Sequence, residues 1–266
     1  MTQTELNGII KLHNLYLMKD INGVKANLEG ANLQGANLEG VNLERAHLYR
    51  VNLCRANLRG INLSRANLEG ANLYRADLDR ANLEEANLRR ADLEGANLYR
   101  ANLYRANLDR ANLQGANLYK SDLWRTNLGE VHLQGADLRE ANLRGANLRG
   151  IYLSRANLEG ANLYRADLEE ANLRRADLRG AYLYRANLSN VISDYIVLKS
   201  ITDMTWGVVM MDDKVRVGCR EYTYKEWKSF NEEEVSEMAS GALDFYKTLI
   251  PLLDYHYKGT KFEIKE

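Results

Sequence analysis

The stretch that decides the fold begins ANLEG-ANLQG-ANLEG-VNLER at residues 26–45 and keeps its frame far beyond that point. The 165 residues from Ala26 to Asn190 divide without insertion into 33 pentads, and the third position of every pentad is Leu, from Leu28 to Leu188. The first position is Ala except at Val41, Val51, Ile61, Ser121, Thr126, Val131 and Ile151. The second is Asn or Asp except at His47, His132, Tyr152 and Tyr182. A period this strict fixes the architecture before any local propensity is considered. Apolar residues two apart in a repeat of five fit neither the 3.6-residue recurrence of a helix nor the strict alternation of a strand. Ala-x-Leu supplies one alternating step that points inward, and the next two residues must turn the chain. Repeated, step and turn wrap the backbone around an axis and stack a small and a large apolar residue inside. One pentad cannot bury its Leu alone, whereas stacked neighbours can. The short polar chains of the second-position Asn and Asp suit tight turns, because they bond nearby backbone.

Tandem Ala-Asn-Leu-x-x resembles the pentapeptide-repeat proteins over these 165 residues. The resemblance implies an all-β solenoid, a right-handed quadrilateral β-helix with four pentads per coil. Thirty-three pentads then give about 8 coils, and at roughly 4.8 Å per coil a rod about 40 Å long. The Val and Ile substitutions at 41, 51, 61, 131 and 151 are separated by multiples of ten, so they occupy alternate pentads, two opposite sides of a four-sided coil.

Three regions follow: an N-terminal helical cap at 1–25, the pentapeptide-repeat β-helix at 26–190, and a C-terminal capping module of hairpin and helices at 191–266. Open coil ends expose unpaired backbone, as a sheet edge does. Thr2-x-x-Glu5 is a capping box, and Leu6, Ile9, Ile10, His13 and Tyr16 recur at helical spacing, which predicts a helix over 3–17 across the first coil. After Asn190 the repeat decays, and within Ile196-Val197-Leu198 only Leu198 keeps the frame. Val208–Met211, Asp212-Asp213-Lys214 and Val215–Cys219 read as strand, turn and strand. Thr223 to Glu226 is a second capping box, opening a short helix that carries Trp227 and Phe230. Asn231 caps a long helix striped by Val235, Met238, Ala242, Leu243, Tyr246, Leu249 and Leu253, with Pro251 expected to kink it. Val-Arg-Val-Gly-Cys followed by Trp227 is similar to a tail on other bacterial and phage pentapeptide-repeat proteins.

The 266 residues carry 36 basic and 36 acidic side chains. Such balance excludes the large single-sign field of a bulk nucleic-acid binder or an acidic decoy. The longest apolar run, Leu249-Ile250-Pro251-Leu252-Leu253, is far short of the roughly 20 residues that cross a bilayer, so no membrane is expected. No basic-then-apolar leader opens the chain, and Cys54 and Cys219 are too few for a disulfide framework, which fits a reducing cytoplasm. No cofactor or metal is expected either: His13, His47, His132 and His256 have no Cys, Asp or His at ligand spacing, and no phosphate loop or catalytic triad pattern occurs. Cys54, beside Arg55 in an outward variable slot, reads as a surface thiol. The expectation is therefore a non-enzyme.

Two surface features stand out. If residues 20 apart stack, Tyr104, Trp124, Tyr164 and Tyr184 align, with Arg105, Arg125, Arg165 and Arg185 beside them. Such a column resembles a single-strand binding surface, although packing and cation–π contact between neighbouring coils is the favoured explanation. Departures from the consensus gather at Ser121, Trp124, Thr126, Gly129, Val131 and His132, with Tyr152 beyond, and Trp124, Arg125, Thr126, His132 and Tyr152 form a candidate partner patch with Trp as anchor. Relaxed selection on a tolerant surface accounts for the same cluster. The leading function is a rigid scaffold for protein–protein interaction with an unknown protein partner, nucleic acid being disfavoured. Some pentapeptide-repeat relatives inhibit DNA gyrase as acidic duplex mimics, so the resemblance implies that alternative. The array's net charge of three positive argues against it. The chain is expected as a monomer, or as a dimer through its C-terminal module.

Overall fold

The computed structural model describes residues 1–178, 181–183, 185–192, 196–197, 208–210, 214–217, 220–238, 246 and 250. These fall into two compact units, Met1–Ser193 and Asp194–Glu266. The first opens with helix α1, Gln3–Leu17, started by Thr2, whose hydroxyl accepts the Glu5 N–H while the Glu5 carboxylate accepts the Thr2 N–H at 2.7 Å. Both bonds of the expected capping box are present, and α1 buries Leu6 and His13.

From Asn27 onward every second-position residue pairs in parallel with the residue 20 further on, from Asn27↔His47 to Asn172↔Ile192. Twenty residues are four pentads, so the chain climbs one coil every four turns. Pentad 101–105 shows how the coils are tied. Asn102 donates its N–H back to Ala81 at 2.9 Å, Leu103 donates forward to Asp122 at 2.7 Å, and Arg105 donates forward to the Trp124 carbonyl at 3.1 Å. The Ala106 N–H closes the corner on the Leu103 carbonyl at 2.9 Å. The third-position leucines are buried without exception in the array, and nearly all first positions with them. Each buried Leu contributes about 1.5–3 kcal/mol relative to leaving it in water.

The corner demands a left-handed residue at the fifth position. Arg105 adopts φ 54° there and Gly115 φ +64°. A side chain in this conformation costs about 1–2 kcal/mol, so Gly at some corners follows from sterics. Arg, Lys and Glu at others, such as Arg105, Lys120 and Glu140, are held by the N–H bond to the next coil.

The second position does more than turn the chain. The Asn102 Oδ1 accepts the Tyr104 N–H at 3.0 Å, as the turn chemistry requires, while its Nδ2 donates to the Asn82 Oδ1 at 3.1 Å on the coil before. Equivalent bonds recur along the array, as from Asn127 to Asn107 and from Asn97 to Asp77. Asp accepts from the next coil but has nothing to donate to the previous one. Accordingly the six second-position aspartates, at 77, 92, 122, 137, 167 and 177, never stand one coil apart.

At the N-terminal edge His13 is fully buried, and its Nδ1 accepts the Ala26 N–H at 3.0 Å, which places the imidazole proton on Nε2. Val24 donates to the Leu12 carbonyl at 3.0 Å. The first bond fixes α1 to the first coil and the second fixes it to the segment that leads into that coil.

The second unit holds a four-stranded antiparallel sheet in the order β1-β2-β3-β4: β1 Ile196–Val197, β2 Val208–Met210, β3 Lys214–Val217 and β4 Arg220–Thr223. The expected hairpin is β2–β3, with Val209 opposite Arg216. Two strands escape the sequence reading. β1 has only two residues, too few to alternate, and β4 carries Arg220 and Glu221, which lack strand character on their own. Helix α2, Tyr224–Ser229, starts at the second capping box, where the Thr223 N–H donates to Glu226 at 2.7 Å. Trp227 is buried and packs edge-on against Tyr222 and Phe230. Helix α3 spans Glu232–Met238, begun by Asn231, which accepts the Glu234 N–H at 2.9 Å. The rest of the expected stripe at 242, 243, 249 and 253, the Pro251 kink and Cys219 lie outside the described residues.

Candidate interaction surface

With positions one and three inside, the outer surface consists of the second, fourth and fifth positions. The twenty-residue coil sorts them onto four sides, which begin at residues 26, 31, 36 and 41 and recur every 20. On the first, third and fourth sides a fourth- or fifth-position residue meets its counterpart one coil away. On the first side Arg89 bridges Glu69 at 3.7 Å and Asp109 at 3.3 Å. Arg110 holds Glu130 at 3.0 Å and Arg149 holds Glu169 at 3.1 Å. On the third, Arg59 reaches Asp79 at 3.1 Å, and the Tyr99 and Tyr119 rings stack at 5.6 Å. The Arg139 guanidinium, bonded to Asp137 at 2.6 Å, holds that carboxyl below the usual carboxylate range. On the fourth, Glu85 stands between Arg65 at 2.9 Å and Arg105 at 3.7 Å.

The left-handed corner also folds each fifth-position cation back over the ring that precedes it in sequence. Arg105 lies 5.0 Å from the Tyr104 ring centroid, Arg125 5.1 Å from Trp124 and Arg165 5.1 Å from Tyr164. Tyr104 and Trp124 face one another at 4.9 Å, and Arg144 covers Tyr164 at 5.0 Å. The column of Tyr104, Arg105, Trp124, Arg125, Tyr164 and Arg165 therefore exists as read, but its rings are engaged with neighbouring rings or guanidinium groups. Arg185 takes the same positive φ, and Tyr184 lies outside the described residues. What the sequence reading missed is Arg144, which enters this column from a pentad without an aromatic residue.

The candidate patch of Trp124, Arg125, Thr126, His132 and Tyr152 does not hold together. Trp124 and Arg125 belong to the fourth side, whereas His132 and Tyr152 stack on one another at 5.0 Å on the second, halfway round the coil. Thr126 is not on the surface at all. It occupies a first position, is 1% exposed, and its hydroxyl donates to the Leu103 carbonyl at 2.8 Å. Ser121 is likewise buried and donates to the Leu118 carbonyl at 2.7 Å. Both hydroxyls replace Ala methyls and are satisfied internally, as buried hydroxyls must be. The feature that survives is the pair His132–Tyr152, where rings replace the Asn ladder at two consecutive second positions.

Neither His47 nor Cys54 joins a cluster. The His47 Nε2 stands 3.1 Å from the Lys25 Nζ, and Cys54 is a half-buried free thiol. No group of three or more His, Cys, Asp or Glu able to hold a metal gathers among the described residues. No described helix is long and apolar enough to cross a membrane.

The profile of the pentapeptide-repeat family, "Pentapeptide repeats", matches the chain in eight copies over residues 24–60, 46–84, 86–125, 116–155 and 151–190. Among solved structures the chain is similar to HetL, a pentapeptide repeat protein involved in heterocyst differentiation regulation from the cyanobacterium Nostoc sp. strain PCC 7120. They share 36% identity over 67% of this chain and 92% of that one, with a TM-score of 0.40. A trypsin-treated variant of QnrB1, a plasmid-mediated fluoroquinolone resistance protein, is 18% identical over 64% of this chain and 90% of that one, with a TM-score of 0.42. Rfr23 from the cyanobacterium Cyanothece 51142 is 28% identical over 69% of this chain and 92% of its own, with a TM-score of 0.18. No curated protein matches. Family profiles that cover more than half of the residues show that the chain belongs to the pentapeptide-repeat family, whose fold is a right-handed quadrilateral β-helix.

Proposed function

We propose that the chain is a non-catalytic scaffold that holds a protein partner on the outer columns of its repeat array. One observation carries this reading. The outer side chains are already ordered against each other from coil to coil, as Arg89 is between Glu69 and Asp109 and Tyr104 against Trp124. Association is costly when it must immobilise long side chains, and a surface ordered in advance avoids much of that cost. The single-strand reading has less support, because a base stacks on an open aromatic face and these rings are covered. The duplex-mimic reading requires an excess of acid, whereas the array has three more cations than anions.

The capping role of α1 extends the proposal, since His13 satisfies the Ala26 N–H at the open edge of the first coil. The experiment for the scaffold is cross-linking of the full chain in its host cell, paired with oligonucleotide-binding and gyrase-supercoiling assays on the purified protein. A stoichiometric protein adduct mapping to the array is the expected result. An oligonucleotide complex that weakens steeply with salt, or inhibition of supercoiling, would replace this reading by one of the other two.

A further inference from the structure

We infer that the second side of the array, around His132, Tyr152, Arg155 and Arg174, is the docking surface for a short acidic segment of a partner protein. The inference rests on the scaffold reading and assigns it a side and a partner chemistry. Pentads 111–115, 131–135, 151–155 and 171–175 stack on this side and contain three arginines and no Asp or Glu. On the first and third sides stacked cations are met by carboxylates, as at Arg89, Arg110, Arg149 and Arg59. The fourth side is also free of acid from residue 141, but there Arg144 and Arg165 both lie over the Tyr164 ring.

Arg155 and Arg174 have neither arrangement. Their backbones are bonded directly, the Arg155 N–H donating to the Arg174 carbonyl at 2.9 Å, so two exposed guanidinium groups sit on adjacent coils. Neither has a carboxylate or ring partner among the described residues. A carboxylate accepting from both forks would relieve their repulsion and form the strong charge-assisted bonds that arginine favours. Beside them the His132 and Tyr152 rings form a stacked platform with Tyr152 43% exposed, the residue type enriched with Arg in interface cores.

The boundaries set the occupant's length. Glu169 and Glu170 stand on the preceding side, and Glu159 and Asp177 on the following one. A polyanion crossing this island would run onto those carboxylates at either margin, whereas a few Asp or Glu residues fit within it. An acidic peptide is thus favoured over a nucleic acid.

The test uses the full-length protein and three fluorescent probes: a peptide with four alternating glutamates, its glutamine counterpart, and a single-stranded oligonucleotide of equal charge. Anisotropy would be followed together with amide shifts in isotope-labelled protein. The expected result is binding of the Glu peptide only, with shifts at 152–155 and 172–175, and at least a tenfold loss in R155Q/R174Q. R90Q/R100Q, exposed arginines on other sides, should bind like the parent. Tighter binding of the oligonucleotide, equal affinity in R155Q/R174Q, or no binding of the Glu peptide overturns the inference. If the host-cell adduct then maps to another side of the array, the scaffold reading stands and this docking surface falls.

Discussion

The array and the tail both contain β-structure, and they build it by opposite means. In the array every bridge joins residues 20 apart in parallel, and each side of a coil contributes a single bridge. In the tail the sheet is antiparallel, its pairs are near neighbours such as Val209↔Arg216 and Arg216↔Glu221, and the apolar cluster around Trp227 comes from β4, α2 and the residue after α2. The array depends on uniformity, because a defect in one coil is a defect in the interfaces above and below it. The tail depends on a few large side chains, because local pairing leaves little else to bury. This contrast explains why the array varies freely at its outward fourth position and hardly at all inside, while the tail reads as ordinary mixed sequence.

The contrast breaks most visibly at an array leucine. Leu103→Lys places an ammonium with no partner in a stack of fully buried side chains, and burying an unpaired charge costs far more than a domain's margin of stability. Loss of cooperative thermal unfolding by circular dichroism is the expected outcome, and an unchanged melting curve would contradict a dry interior. Trp227→Ala is the corresponding change in the tail. Trp227 is 3% exposed among Tyr222 and Phe230, and truncation should cost about 3–5 kcal/mol. Amide exchange should report that loss at 220–238, with array amides serving as the internal reference.

A smaller effect sharpens the rule of the polar ladder. Asn97→Asp removes the 2.9 Å bond from the Asn97 Nδ2 to the Asp77 Oδ1 and stacks carboxylate on carboxylate. The expected cost in denaturant unfolding is about 1.5–3 kcal/mol, the range for a hydrogen bond to a charged group. Asn107→Asp, flanked by Asn87 and Asn127 and still able to accept from the Asn127 Nδ2, should cost clearly less. Equal penalties would show that the spacing of the six aspartates has no energetic basis.

The smallest effect is at the N-terminal edge. Burial lowers the pKa of His13, the Glu44 carbonyl and carboxylate opposing and the Lys25 ammonium assisting. A base with a folded pKa below its unfolded value of about 6.5 binds protons preferentially when unfolded. Its stabilising contribution is therefore complete above that value and is lost as the pH falls through the lowered folded pKa. Protonation would also remove the Nδ1 lone pair that accepts the Ala26 N–H. H13Q should flatten the acid limb of the stability–pH curve at and below about pH 6.5, and an unchanged limb would remove His13 from that role.

Much of this was legible in the sequence for a simple reason. Leu and Ala at fixed positions declare the inside, and Asn two residues before an outward position declares the turn, because both are local properties of five residues. Both capping boxes were legible on the same ground, since Thr223 and Glu226 act across one helical turn. Thr126 and Ser121 were misread as surface although the frame already put them inside. They drew notice as departures from the Ala consensus, and the carbonyls that satisfy them, of Leu118 and Leu103, were not visible. β4 was missed because Arg220-Glu221 has strand character only once β3 lies beside it.

By itself the sequence determined the step of the repeat, the leucine interior, the helix starts and the near-neutral surface, all set by chemistry within a few residues. Only the tertiary structure decided which outer groups meet. The closure of the coil at 20 residues makes Arg155 a neighbour of Arg174 and separates Trp124 from His132. The left-handed corner, meanwhile, turns each arginine back onto its own aromatic neighbour. Contacts of this kind depend on how one coil packs on the next, and no window of five residues contains that information.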